Sequence, residues 1–233
     1  MNERFVHITP RLSAALELLK GYDAVADIGC DHGRLTAALL QSGTCSRVVA
    51  SDVSAPSLKK AEDLLSHIGK ADAVSFRCGD GCSVLAPHEC DAIALLGMGG
   101  TLMCRILDAC PIPLMGAKAA VLQPMRAQDD IRKYLYERGY SIAADRIVLD
   151  HGRYYQVLKA VPVDATEPIP DGFPADFFDV GYKSFTDRDP LLPQYCAHLI
   201  LIYERMNRDA AGSEGETRLN AKIRALKTII EHF

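Results

Sequence analysis

Asp27-Ile28-Gly29-Cys30-Asp31-His32-Gly33 sets two glycines four residues apart around an acid and a histidine. Glycines at such a turn let the backbone approach a nucleotide-like ligand closely. The spacing is not Gly-x-Gly-x-x-Gly, and a tight turn would explain either glycine alone. Three more motifs follow. Asp52 closes the run RVVASD, 19 residues after Gly33. A carboxylate there can accept from both hydroxyls of a ribose, or simply cap the next helix, which Ser54 could do instead. Gly79-Asp80-Gly81 offers a short acid that can meet an adenine amino group, or that makes a plain turn. Gly97-Met98-Gly99-Gly100 leaves enough bare backbone for a bulky flat group to pass, or forms a flexible loop.

These motifs need elements to hold them. AVADI (24–28), RVVASD (47–52), AVSFRC (73–78), DAIALLG (91–97) and AKAAVLQ (117–123) are short apolar runs that read as buried strands. Helical stretches follow over 35–42, 55–68, 100–109 and 127–138, with Ser54 as an N-cap and Gly43, Gly69 and Gly139 as stops. Two further β-like runs, 141–149 and 153–161, bring the strands to seven. Strands alternating with helices at this length predict a mostly parallel, doubly wound α/β sheet with right-handed crossovers. All four motifs then fall at the carboxyl ends of successive strands, on the edge where such sheets bind ligands.

The remainder has a different character. Pro162, Pro168, Pro170, Pro174 and Pro190 with many acids predict an irregular connector over 161–189. Leu191, Tyr195, Leu199, Ile202 and Met206 recur at spacings of three and four, as do Leu219, Ile223, Leu226 and Ile230. With a polar loop over 209–216, they predict an antiparallel helical hairpin across 190–233. Residues 1–160 are expected to form the ligand-binding domain. Net charge is −4 over 233 residues, and residues 161–233 carry all of it, with 8 basic and 12 acidic side chains. Binding of a nucleic acid therefore needs a local basic face. Eight cysteines with no Cys-x-x-Cys spacing read as reduced packing thiols. No apolar run reaches the ~18 residues of a membrane span. The start, MNERFVHITPRL, lacks a signal peptide's apolar core. A cytoplasmic protein is expected.

The motifs together resemble a Rossmann-like, S-adenosylmethionine-dependent methyltransferase of class I. The likeness extends to one family. VADIGCDHGRL (25–35), CGDG (78–81), LLGMGGTLMCRIL (95–107), LQP (122–124) and DHGRYYQVL (150–158) resemble the TrmK family, tRNA (adenine-N1)-methyltransferases acting on adenine 22. The family's helical C-terminal extension resembles 190–233. The resemblance implies S-adenosyl-L-methionine as cofactor and tRNA as partner, with no metal. It implies cofactor contacts from Asp27, Gly29, Cys30, His32, Gly33, Asp52, Asp80, Gly81 and Gly97. It implies substrate contacts from Met98, Gly99, Gly100 and Gln123. The chain departs from the family in carrying Asp52 where many members have Glu, and Met125 where others have Asn.

Methylation at adenine N1 uses a lone pair already present, so it needs positioning and stabilisation of a growing positive charge more than a base. Asp31 is the candidate for that stabilisation; its alternative role is capping the helix near Arg34. N1 lies on the Watson–Crick edge, so the base must be unpaired or flipped out. Grip on the RNA is sought in Arg126, Arg132, Lys133 and Arg138, or in Arg218, Lys222, Arg224 and Lys227, with Lys222 and Arg224 favoured because 218–230 holds no acid. Such a run can equally be a solvated face. A nicotinamide dehydrogenase would need the missing Gly-x-Gly-x-x-Gly. His88 and Cys90 near Cys78 and Cys82 lack zinc spacing. Methylation of another RNA or a small molecule, or an inactive RNA-binding relative, stays open.

Overall fold

The computed structural model describes residues 6–163, 168–209 and 214–233. Five strands, β1 (Ala24–Ile28), β2 (Arg47–Asp52), β3 (Val74–Cys78), β4 (Ala92–Gly99) and β5 (Ala119–Arg126), lie parallel. β6 (Tyr140–Asp150) and β7 (Arg153–Pro162) complete a seven-stranded sheet in the order β3-β2-β1-β4-β5-β7-β6, with β7 antiparallel to both neighbours. Because β7 runs backwards, the turn between β6 and β7 lies at the same sheet edge as the carboxyl end of β5. The doubly wound sheet expected from the apolar runs is borne out, as are its seven strands.

The strands read as unbroken apolar runs because both faces are covered. On one face, α4 (Gly100–Ala109) and α5 (Gln128–Glu137) pack over Ile28, Ile93, Leu95, Leu122 and Leu158. On the other, α2 (Arg34–Gln41), α3 (Ala55–His67) and the N-terminal α1 (Pro10–Leu18) pack over Val25, Val48, Val121 and Val157. Ser54 caps α3, its hydroxyl accepting from the Ser57 amide at 3.3 Å. Helix α1 lay outside the sequence reading. Its signal is Thr9-Pro10, an extended residue followed by proline at the first helical position, where the missing amide costs nothing.

A third apolar cluster joins the rest of the chain to the sheet. Phe173, Phe177 and Val180 of the connector, and Phe185 on the short α6 (Tyr182–Thr186), meet Ile147 of β6. The same cluster takes in α7 (Leu192–Asp209) and α8 (Glu214–His232). The buried row of α7 is Leu192, Tyr195, Cys196 and Leu199, while Ile202 and Met206 of the expected seam are exposed. On α8 the buried row is Ile223, Leu226 and Ile229. Helix is already present at Glu214, so the expected loop over 209–216 is shorter at that end; residues 210–213 of it lie outside the described residues.

One expectation is overturned here. Arg132, sought as an RNA contact, is only 2% exposed. Its guanidinium makes a two-pronged pair with Asp145, at 2.7 and 3.0 Å, and donates to Gln156 and to the Phe178 carbonyl at 3.1 Å. Gln156 in turn donates to the Tyr195 hydroxyl at 2.5 Å. A buried ion pair needs every donor filled, and here Gln156 of β7 and the connector carbonyls of Phe178 and Asp179 supply the last acceptors. The basic spacing on α5 was surface-like, but Arg132 falls on the helix face that meets the sheet.

Candidate functional site

A cleft of about 740 Å³ opens along the carboxyl edge of β1 to β5. Its lining follows the strand order: Asp80 and Gly81 after β3, Asp52 at the end of β2, Asp27 to His32 from β1, Gly97 and Met98 from β4, and Gln123 and Met125 from β5. The sheet thus gathers eleven of the residues singled out in the sequence, namely Asp27, Gly29, Cys30, Asp31, His32, Asp52, Asp80, Gly81, Gly97, Met98 and Gln123.

The loop after β1 is shaped by three left-handed residues, Gly29 (φ 74°), Asp31 (φ 49°) and Gly33 (φ 71°). The amides of Gly29 and Cys30 both donate to the Ser51 carbonyl, at 2.8 and 2.9 Å, which ties the loop to β2. A Cβ on Gly29 would come within 2.2 Å of the Met98 Cε and displace the end of that side chain, and the left-handed backbone at this position itself favours glycine. Gly33 does not line the cleft. A Cβ there would sit 2.8 Å from that of Ala61, so its smallness serves packing against α3.

Asp52 is held from both sides. One carboxylate oxygen accepts from the Asp31 amide at 3.0 Å and the other from the Ser54 amide at 2.8 Å. Each oxygen keeps a lone pair, which is the arrangement a pair of vicinal hydroxyls requires. Asp27 lies at the floor, buried, and accepts from the Thr36 hydroxyl at 2.7 Å. Burial raises its pKa to about 6, against the lowering effect of the Thr36 contacts. Burial also pushes the Cys30 thiol well up, so it is a neutral packing group and not a nucleophile.

Asp31 is solvent-exposed and caps nothing: the N-cap of α2 is Gly33, with no side-chain cap bond. Its carboxylate lies 3.6 Å from the His32 Nε2, which accepts from the Lys60 ammonium at 3.3 Å. Asp80 lines the cleft, its carbonyl anchoring the following turn through Ser83. The Gly97-Met98-Gly99-Gly100 run divides. Gly97 (φ 77°) borders open space, whereas a Cβ on Gly100 would meet the Ala127 carbonyl at 2.0 Å and one on Gly99 would meet Arg126. Gly100 is small so that α4 can start against the beginning of α5, Gly99 packs on the Arg126 side chain of β5, and both lie off the cleft.

Lys222 and Arg224 are remote from the cleft, on α8. Lys222 is half-buried and committed to Asp179 at 2.7 Å and Asp129 at 3.6 Å, which fastens α8 to the connector and α5. Arg224 is exposed, as are Arg218 and Lys227. Sequence reasoning missed one group altogether. Thr9, Arg11 and Leu12 from the start of α1, with Met125, wall the β5 end of the cleft. Nothing near Arg11 in sequence announces this, because its partners lie more than a hundred residues away.

Four acids and few bases line the β1 to β3 half, which favours a ligand rich in hydroxyls and positive charge. The close-approach glycines, the doubly anchored Asp52 and the buried Asp27 fit a nucleoside that bears a cationic substituent. Among the described residues, no three metal-ligating side chains gather, and no helix is long and apolar enough to cross a membrane.

Residues 8–158 match the sequence profile of a family described as a methyltransferase domain. The chain is 28% identical to the tRNA (adenine(22)-N(1))-methyltransferase of Bacillus subtilis (strain 168), over the full length of both. The crystal structure of the B. subtilis M1A22 tRNA methyltransferase TrmK superposes with a TM-score of 0.82, at 25% identity, covering 97% of this chain and 99% of that one. M. capricolum TrmK in complex with S-adenosyl-homocysteine shares the fold, with a TM-score of 0.83 at 16% identity over 97% and 98% of the two chains.

Proposed function

The chain belongs to the methyltransferase-domain family, with TrmK enzymes among its full-length relatives, and on that premise we propose that it transfers a methyl group from S-adenosylmethionine to N1 of adenine 22 in tRNA. The observation that carries the reading is the cleft itself. Its β1 to β3 half holds the residues a nucleoside cofactor needs, and its β4 to β5 half is open beside them for an acceptor base.

When bound, S-adenosylmethionine supplies an electrophilic methyl group on a sulfonium. The chain's own residues do the rest. Asp52 accepts from the ribose hydroxyls and Asp80 from the adenine amine, while Gly29 and Gly97 let the ligand approach the backbone. Asp27 and Asp31 place negative charge where positive charge is held or grows. No side chain has to remove a proton, because N1 carries its own lone pair; the work is orientation and exclusion of water. Met98 and Gln123 face the acceptor side. Residues 1–160 carry the chemistry on this reading, and the hairpin over 190–233 grips the tRNA through Arg218, Arg224 and Lys227, with 161–189 linking the two. The substrate implies action in the cytoplasm.

The test is methylation of unmodified tRNA transcripts with isotopically labelled S-adenosylmethionine, followed by mass mapping. One methyl group on adenine 22, lost when that position is changed to uridine, is the expected result. Labelling elsewhere in the tRNA, or none with the cofactor bound, refutes it.

A further inference from the structure

Beside the acceptor half of the cleft, Gln123 is held by side chains that the function above leaves unused. Asp150, at the end of β6, is 5% exposed. It receives the His151 Nδ1 at 2.5 Å and faces the Arg11 guanidinium at 3.8 Å. Arg11 is also seated over the Tyr155 ring, 5.2 Å from its centre. Its Nη1 donates to the Gln123 Oε1 and the Met125 sulfur, both at 3.4 Å. Gln123 is 2% exposed and lines the cleft, and its Nε2 donates to the Pro124 carbonyl at 3.1 Å.

This fixes which way the Gln123 amide points. Turned over, its NH₂ would meet the Arg11 donor and its oxygen would meet the Pro124 carbonyl, leaving two clashing pairs. Held as it is, the amide has spent its donors on the protein, on Pro124 and Met125. Its remaining capacity toward the cleft is a lone pair on Oε1. Adenine presents an amino donor beside N1, whereas guanine presents a carbonyl acceptor beside its N1.

We infer that Arg11, braced by Asp150 and Tyr155, is a positioning residue that sets Gln123 as an acceptor for the exocyclic amine of the target base, so that adenine is admitted over other purines. The inference rests on the function proposed above and names the device that selects its substrate. Arg11 acts through Gln123 and does not touch the reacting atoms.

The experiment compares transcripts carrying adenine or unsubstituted purine, which lacks the amine, at position 22. The wild-type protein should prefer adenine in kcat/KM by roughly 5- to 100-fold, the range of one unmet hydrogen bond at a closed site. Purine also differs in intrinsic reactivity, so the readout is the change in that preference between variants. Arg11→Met should bring the preference near the intrinsic ratio while cofactor affinity by calorimetry stays as in the wild type. Arg11→Lys, which restores a donor, should recover much of it. An Arg11→Met protein that keeps the full preference overturns the inference. A wild-type protein that binds cofactor but methylates neither transcript overturns the function, and this device with it.

Discussion

Replacing Asp27 by asparagine is expected to stabilise the cofactor-free protein at neutral pH and much less in acid. The carboxyl is buried at the cleft floor, and burial lifts its pKa from 3.8 to about 6. An unfolded chain gives up this proton from pH 3.8 upward, while the folded chain holds it to about pH 6. Stability linked to the group is therefore whole below the unfolded value and is lost as pH rises through the folded one. The shift corresponds to about 3 kcal/mol above pH 7, of which about 1 kcal/mol is already lost at pH 4.5. Asparagine keeps an oxygen to accept from Thr36 and never ionises. Urea unfolding of both proteins at pH 4.5 and pH 8 measures the difference. A gap that widens by about 2 kcal/mol between the two is expected; an equal gap at both, or a less stable variant at pH 8, refutes the reasoning. A cation in the cleft favours the ionised carboxyl, so wild-type affinity for S-adenosylmethionine should weaken as pH falls through about 6. That dependence should be absent in Asp27→Asn.

Asp52→Ala removes the proposed ribose acceptor together with the anchors of the Asp31 and Ser54 amides. Cofactor affinity should fall by about 2–4 kcal/mol by calorimetry, and an unchanged value would sink the assignment. Arg132→Met leaves the Asp145 carboxylate buried without its partner. The expected loss is about 3–5 kcal/mol in urea unfolding, largely recovered by adding Asp145→Leu; a loss below about 1 kcal/mol contradicts the account. Arg224→Glu with Lys227→Glu should raise the KM for tRNA and flatten its salt dependence without changing cofactor affinity. Wild-type KM across a range of salt would remove α8 from the RNA-binding surface.

Most of the sheet and the residues that line the β1 to β3 half of the cleft were legible because their signals are local. Each apolar run and the acid or glycine that ends it lie within a few residues, and the period-free hydrophobicity of AVADI or AKAAV follows from burial on both faces. Packing supplied what local signals could not. Gly33, Gly99 and Gly100 looked like ligand-facing glycines, but their neighbours are Ala61, Arg126 and Ala127. Arg132 and Lys222 looked like free cations, but each faces an acid on another element, Asp145 of β6 and Asp179 of the connector. A charge reads the same in sequence whether it meets solvent or a partner far along the chain.

The Arg11 wall of the acceptor half was illegible for the same reason, because its partners lie far along the chain. Tyr155 and Gln156 are adjacent on β7, so their side chains leave opposite faces of the sheet. Tyr155 lies under Arg11, which sets the Gln123 amide at the cleft. Gln156 joins Arg132 to Tyr195 of α7, on the side where Lys222 fastens α8. One strand segment thus carries both the brace for the acceptor pocket and the joint of the helical hairpin. At Tyr155 and Gln156 the strand is paired with β6, and from Leu158 to Ala160 it is paired with β5 as well. If the hairpin holds tRNA as proposed, the base pocket beside Gln123 and the joint of the hairpin are tied through adjacent residues of one strand. The buried Arg132–Asp145 pair lies on one side of this strand and the Arg11–Tyr155 contact on the other.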